Sequence, residues 1–307
     1  MKRVYMLKLK CCVVAGLMCL PLLAFSQDAG KSGLAFLKIG VGGRAAALGE
    51  AYVALANDPT AIYWNPAGLA NASGTQLAFT HLEWLESINH DFFAVSFPGF
   101  GGVLGLGLTS QAIPNIELRE TPTAEPIGSF DGRDLALSLS YGRKRGANLS
   151  WGVSLKYLYE KIYLTSANGF AFDVGANWQT PAAPLRLAAS VQNVGTMGKL
   201  VNESITLPAL ARIGGVYQLT SAHGAPRAAL ALENMLLFEG GNATSVGLEY
   251  WLVNGVAGRA GYQLGRENRG LTAGFGANRG RYTLDYGYLP FSNELGATHR
   301  FSILVKL

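Results

Sequence analysis

The chain has 307 residues, of which 49% are apolar and only 15% charged, with 39 glycines. A soluble globular domain carries about 25% charged residues, so this surface is under-charged, and the mean hydropathy is +0.20. Yet after residue 30 no segment stays apolar for the ~18 residues a spanning helix needs, which leaves a soluble β-rich protein or a transmembrane barrel.

Lys2, Arg3, Lys8 and Lys10 precede the apolar run Cys11 to Ala24, and Ala24-Phe25-Ser26 is an A-x-S cleavage pattern. This predicts a signal peptide over 1–26, cleaved near Ser26. The run is too short to span a membrane and Pro21 interrupts it. Cys19 follows Met18, not the small residue expected before a lipidated cysteine. All three cysteines (Cys11, Cys12, Cys19) lie in this leader, so the mature chain is expected to have no disulfide, thiol nucleophile or cysteine metal site. Removing the four leader cations leaves 21 Lys and Arg against 20 Asp and Glu, a net charge of +1. The sequence pI of about 9.1 is therefore a leader effect and no argument for nucleic-acid binding.

Residues 27–73 lack strand alternation. Arg44 to Ala56 reads as a helix with Leu48, Ala51, Tyr52 and Leu55 on one face. Asn57-Asp58-Pro59 supplies a stop, because proline cannot continue the helix and disfavours it one residue earlier. A short turn, Thr60 to Trp64, follows before Asn65-Pro66-Ala67-Gly68. Such a piece is sized to sit in a barrel lumen as a hatch. Arg44 and Asp58 either pair with lumen charges or are simply solvated there, and Asn65 before Pro66 most simply caps a turn.

From residue 74 to 307, segments of about ten residues alternate apolar with small or polar residues. Leu149, Trp151, Val153, Leu155, Tyr157 and Tyr159 alternate with Ser150, Gly152, Ser154, Lys156 and Glu160. A period of two puts one set on each face of a sheet, and lipid accepts the apolar one. Strands are predicted at 75–84, 88–97, 101–111, 132–143, 149–160, 169–178, 185–193, 208–219, 226–237, 243–253, 255–264, 270–278, 281–289 and 298–307. The fold class is thus all-β: a 14-stranded antiparallel transmembrane β-barrel with a small, partly helical N-terminal plug. With a periplasmic N-terminus the long connections 112–131, 161–168, 194–207 and 290–297 face outward and the short ones inward, the outer-membrane asymmetry. Trp151, Trp178, Tyr250 and Tyr288 fall near strand ends, where amphipathic rings favour the membrane interface. Gly101 to Leu108 is glycine-rich and Pro114 follows it, so a wall defect is expected there.

Phe36 through Pro59, with Gly40, Gly42, Gly43, Arg44 and Asp58, resembles the N-terminal signature of the PorV/PorQ family, and Thr60 to Leu69, with Trp64, Asn65, Pro66, Ala67 and Gly68, continues it. The Asn-Pro-Ala element also resembles the hatch of FadL-type long-chain fatty acid transporters. The resemblance implies a fourteen-stranded barrel with a plug, and it is the source of any role for Asn65 in a ligand path. Gly40-x-Gly42-x-x-Ala45 also mimics a dinucleotide fingerprint, but no second parallel strand follows. The glycines are better suited to close packing within the plug.

No catalytic set is legible. His81, His90, His223 and His299 lack metal-ligand spacing, and no serine sits in a G-x-S-x-G elbow, so neither an enzyme nor a cofactor is expected. The resemblance implies two functions. A PorV-like accessory of type IX secretion would shuttle cargo that carries a C-terminal sorting domain, docking it on the outer loop at Glu117, Arg119, Glu120 and Glu125. A FadL-like channel would admit a hydrophobic small molecule past a moving hatch. A structural barrel is the third reading. The loop 112–131 carries both charges and apolar residues (Ile113, Ile116, Leu118, Ile127); the N-terminal signature tips the balance to secretion. Expected partners are outer-membrane lipid and either cargo or a hydrophobe, with no nucleic acid.

Overall fold

A computed structural model describes residues 32–122, 124–181, 184–221, 226–253, 255–266 and 268–307. The expected signal peptide, 1–26, lies outside the described residues. The described chain begins with short helical pieces: a 3-10 turn Ala35–Lys38, α1 (Gly43–Ala47), α2 (Ala61–Trp64) and a 3-10 turn Pro66–Asn71. Strands follow as β1 (Gln76–Glu83), β2 (Asn89–Gly99), β3 (Gly102–Leu118), β4 (Gly128–Arg145), β5 (Leu149–Ile162), β6 (Thr165–Gln179) and β7 (Leu185–Met197). A small hairpin, β8 (Lys199–Leu200) and β9 (Glu203–Ser204), interrupts the series. It resumes with β10 (Leu210–Thr220), β11 (Pro226–Leu237), β12 (Asn242–Val253) and β13 (Val256–Leu264). It ends with β14 (Leu271–Arg279), β15 (Tyr282–Pro290) and β16 (Ala297–Lys306).

Fourteen of these strands form one closed antiparallel barrel, sealed where β1 pairs β16 from Gln76↔Lys306 to Glu83↔His299. Closure leaves no unpaired edge. The two faces separate as the alternation requires. On β5, Leu149, Trp151, Val153, Leu155 and Tyr157 are exposed on the outside, and Ser150, Gly152, Ser154, Lys156 and Leu158 are buried on the inside. Phe170, Phe172, Val174 and Trp178 repeat the outward pattern on β6.

Three expectations change. The helix over 44–56 stops at Ala47, because Gly49 (φ 64°) and Glu50 (φ 66°) adopt the left-handed region and turn the chain. The outer loop 112–131 shortens, because β3 runs on to Leu118 and β4 starts at Gly128; Pro114 is absorbed by a register shift between Ile113 and Ile116, with Asn115 at φ 56°. A bulge adds one unpaired residue without ending a ladder. The glycine-rich stretch of β3 is not a wall defect either: Val103 to Ile113 pair without interruption with β4, and the same segment pairs β2. The barrel wall is taller on one side, since β3 to β7 have 13–18 residues and the other barrel strands 8–12.

Candidate functional site

The lumen is filled by residues 33–72 of the same chain. Where this hatch lies, the wall presents small side chains: Ala94, Ala188, Ala229 and Ala231 pack with Leu48, Tyr52, Leu55, Ile62, Trp64 and Leu69 in one buried cluster. A second cluster sits toward the end bearing the long connections. Leu34, Phe36 and Leu37 of the hatch meet Leu158, Ala171, Met197 and Leu207, so this part of the lumen is apolar where a barrel interior is ordinarily polar.

Three carboxylates tie the hatch down. Glu249 on β12 takes a two-pronged bond from Arg44, Nε to Oε1 at 2.9 Å and Nη2 to Oε2 at 2.7 Å. The same carboxylate accepts from Arg259 Nε at 2.7 Å, and Arg259 Nη1 reaches Asp285 at 2.7 Å. Glu233 on β11 accepts from the backbone N–H groups of Tyr52 and Val53, both at 2.7 Å, and from Arg212 Nη1 at 2.7 Å. Arg212 also stacks over Trp64, its guanidinium carbon 4.7 Å from the ring centroid. Gln192 completes this layer by donating to the carbonyls of Tyr63 and Trp64 at 2.7 and 2.8 Å.

Glu50 is the hatch's own buried acid, meeting Arg300 Nη1 at 3.0 Å, Arg266 Nη2 at 3.6 Å and Arg269 Nη1 at 4.0 Å. Burial opposes its ionisation, but Arg300 above all, then Arg266, Arg269 and Arg212, hold its carboxyl down to about 2. A carboxylate with a depressed folded value contributes stability fully above its ordinary value of 4.5 and loses it as pH falls through about 2. The urea midpoints of wild type and Glu50→Gln are therefore expected to converge as pH drops from 5 toward 2; a constant difference over that window would contradict the ion-pair account.

The remaining singled-out hatch residues divide into packing and wall contact. A Cβ on Gly40 would fall 2.7 Å from Glu50 Oε1 and 2.8 Å from Trp64, so this glycine leaves room for both. Gly42 has φ 90° at the start of α1. Gly43 lies against the wall backbone: a Cβ there would sit 2.7 Å from the Asp285 carbonyl, and its N–H donates to Ser302 Oγ at 2.8 Å. Gly43→Ala is expected to cost about 1–3 kcal/mol through overpacking, read as a lower urea midpoint. Gly68 packs on Ala56 O and the Ala61 methyl. Trp64 donates Nε1–H to Val41 O at 2.9 Å. Asn65 caps Pro66–Asn71 by accepting from Ala67 N at 3.1 Å, and its amide reaches Asn177 Oδ1 on β6 at 2.7 Å. Pro66 packs against Gly152 of the wall. Arg44 thus pairs with lumen charge, whereas Asp58 turns back on its own segment, accepting from Thr60 N at 2.8 Å. Arg44 and Asp58 line a polar cavity of about 280 Å³ with Asn71, Gln76, Arg259 and Asp285, on the side of the short turns.

The residues expected to form a docking loop lie at the β3–β4 connection, where Arg119 Nη2 also reaches Ala124 O at 3.4 Å. Glu117 lies within β3 and accepts from Arg119 Nε at 2.9 Å across an exposed pair; Glu120 and Glu125 are exposed in the shortened turn. Residues that sequence reasoning missed are Glu50, Glu233 and Glu249, with Arg212, Arg259, Arg266, Arg269 and Arg300. For the strand members Arg212, Glu233, Glu249, Arg259 and Arg300 the sequence signal is a charged side chain at an inward position of an alternating strand, as at Arg300 beside Phe301. Among the described residues no group of three or more His, Asp or Glu is placed to hold a metal, and no helix is long and apolar enough to cross a membrane.

A family model described as an uncharacterised protein family (UPF0164) matches residues 23–127, about a third of the chain. Two relatives, each described as a UPF0164 protein of Treponema pallidum (strain Nichols), match over part of the chain. One is 29% identical over 142 residues, covering 45% of this chain and 35% of its own length. The other is 27% identical over 146 residues, covering 45% and 43%. The chain thus spans less than half the length of the curated relatives it matches. Among solved structures, the CymD monoaromatic hydrocarbon channel superposes with a TM-score of 0.60 at 13% identity, over 87% of this chain and 98% of that one. The toluene transporter TodX of P. putida gives 0.60 at 12% identity, over 86% and 96%. At such identities the likeness is one of architecture: this chain, a closed fourteen-stranded barrel with helical pieces in its lumen, shares the fold of these two proteins.

Proposed function

We propose that this protein is an outer-membrane channel for hydrophobic small molecules, with residues 27–73 as its gate, 74–307 as its barrel and 1–26 as an export leader. The observation that carries the reading is the apolar compartment at the long-loop end, where Phe36 and Leu37 face Leu158, Met197 and Leu207 inside the barrel. A hydrophobe arriving from outside would find apolar wall there and would displace the hatch's own apolar side chains, so the ligand competes with the plug for one surface. The outward belt of Leu, Val, Phe and Trp supports insertion in lipid. The hydrocarbon-channel fold supports the substrate class.

The hatch residues Arg44, Trp64 and Asn65 hold the closed state in this reading; no catalysis or cofactor is required. The secretion-accessory alternative has behind it the resemblance of residues 36–69. The deciding experiment is to purify the full chain from its native outer membrane in mild detergent and identify what is bound by mass spectrometry. A stoichiometric hydrophobe without a protein partner supports the channel. Co-purifying proteins with a shared C-terminal domain would replace it with cargo shuttling.

A further inference from the structure

A row of inward-facing polar side chains crosses four neighbouring strands at the outer edge of the apolar compartment. His90 on β2 lies opposite Gln111 on β3, Gln111 opposite Asp134 on β4, and Asp134 opposite Glu160 on β5. Two residues deeper along β4 and β5, Ala136 faces Leu158, and both belong to the apolar cluster that holds Phe36. Successive inward positions on a strand are about 7 Å apart, so the row is a polar rim directly over apolar wall. The ring of His90 stands 6.3 Å from that of Phe36.

The row is short of donors and of positive charge. Asp134 and Glu160 are like charges directly across a strand pair, an arrangement that destabilises a sheet. No ion pair reaches either carboxylate among the described residues. Arg133 and Lys161, beside them in sequence, alternate to the opposite, exposed face. Lys156, the inward cation of β5, is taken by Asp173 and by Asn193 Oδ1, each at 2.7 Å. Gln111 Nε2 donates to Asp134 Oδ2 at 3.3 Å, which leaves Gln111 Oε1 buried without a partner. His90 is 1% exposed, and both of its ring nitrogens are buried without a partner as well. A neutral imidazole has one N–H, so even a ring turned toward Gln111 keeps a bare acceptor nitrogen. Two carboxylates, an amide oxygen and an imidazole nitrogen thus stand in one row as acceptors. Buried acceptors of this kind call for a group that brings the donors, and an ammonium group has three N–H donors, a positive charge and no acceptor.

We propose that this row binds the ammonium head of an amphiphile whose chain lies in the apolar compartment, so that the protein prefers cationic amines to neutral alcohols of the same length. The place of the chain rests on the channel reading; the cation site itself does not.

The test measures saturable binding of radiolabelled octylamine, octanol and methylammonium to the full-length protein in non-ionic detergent at neutral pH. Wild type is compared with Asp134→Asn, Glu160→Gln and Glu160→Asp, and with Glu83→Gln, which removes an exposed acid at the outer end of β1. Folding of each is verified by heat-modifiable gel migration. Octylamine is expected to bind about tenfold or more tightly than octanol, as one charge-assisted bond provides. Asp134→Asn and Glu160→Gln should each remove most of that preference without changing octanol binding. Glu160→Asp should keep part of it, and Glu83→Gln all of it. Equal binding of octylamine and octanol in wild type, or a preference lost as fully in Glu83→Gln as in Asp134→Asn, would overturn the ammonium site and leave the channel reading standing. Methylammonium binding abolished by Asp134→Asn, with neither octyl compound bound, would keep the site as one for a small cation and overturn the channel. Binding of none of the three overturns both.

Discussion

Glu233→Gln is expected to destabilise the protein by about 3–5 kcal/mol, the cost of leaving one member of a buried ion pair uncompensated. Glu233 and Arg212 are each about 2% exposed and 2.7 Å apart. Glutamine can still accept from the backbone N–H groups of Tyr52 and Val53 through its one oxygen, but its NH2 group then faces Arg212 Nη1, so the loss combines the charge with one hydrogen bond. The Arg212 guanidinium would then be held between Trp64 and Gln192 with only the more distant Glu50, already paired with Arg300, opposing it. Urea unfolding in lipid vesicles, followed by tryptophan fluorescence, reads the effect. A second variant separates pair from charge: Glu233→Gln with Arg212→Met should recover much of the loss, since an apolar replacement of both partners is often neutral. A single-variant loss below about 1 kcal/mol would mean that the carboxylate does not anchor the hatch.

Glu249→Gln is expected to loosen the hatch more than the barrel. Glu249 is the shared acceptor of Arg44, on the hatch, and Arg259, on the wall. Without its charge these two arginines keep Asp285, which pairs with Arg259, and Asp58 across the same cavity. Charge-assisted bonds contribute about 1.5–3 kcal/mol each, so the released hatch should become about 10- to 100-fold more populated. Planar-bilayer recording reads this as a rise in open probability. The wall ladder of β12 with β11 and β13 does not depend on the side chain, so heat-modifiable migration should stay normal. Unchanged gating in a folded variant would detach Arg44 from the gate.

The barrel was legible because lipid on one side and a mixed lumen on the other force a period of two. On β5 that pattern identified every outward residue from Leu149 to Tyr157. It failed at the outer end of β3, where Pro114 reads as a terminator. There the chain carries proline through a bulge and pairs again from Ile116 to Leu118, a tertiary solution that local propensity does not contain. The hatch was legible as a unit but not in detail. Apolar spacing over 44–56 suggests a helix, yet Glu50 takes a left-handed backbone at the corner where its carboxylate meets Arg300, 250 positions away.

The candidate site was the least legible part for the same reason. Arg44 stood out as a cation in an apolar stretch, but alternation assigns a face to Glu249 and not the height at which it meets the hatch. The arginines at 266, 269 and 300 come from neighbouring hairpins, and only the closed barrel brings them onto one carboxylate.

The most direct test of the gated channel is uptake. Cells of a host lacking its own hydrophobe channel, expressing wild-type protein or Glu249→Gln, would be given radiolabelled dodecanoate and dodecanol. The account predicts saturable, protein-dependent accumulation, faster for Glu249→Gln. Accumulation at the level of the empty host for both compounds, with the protein folded in the outer membrane, would contradict it.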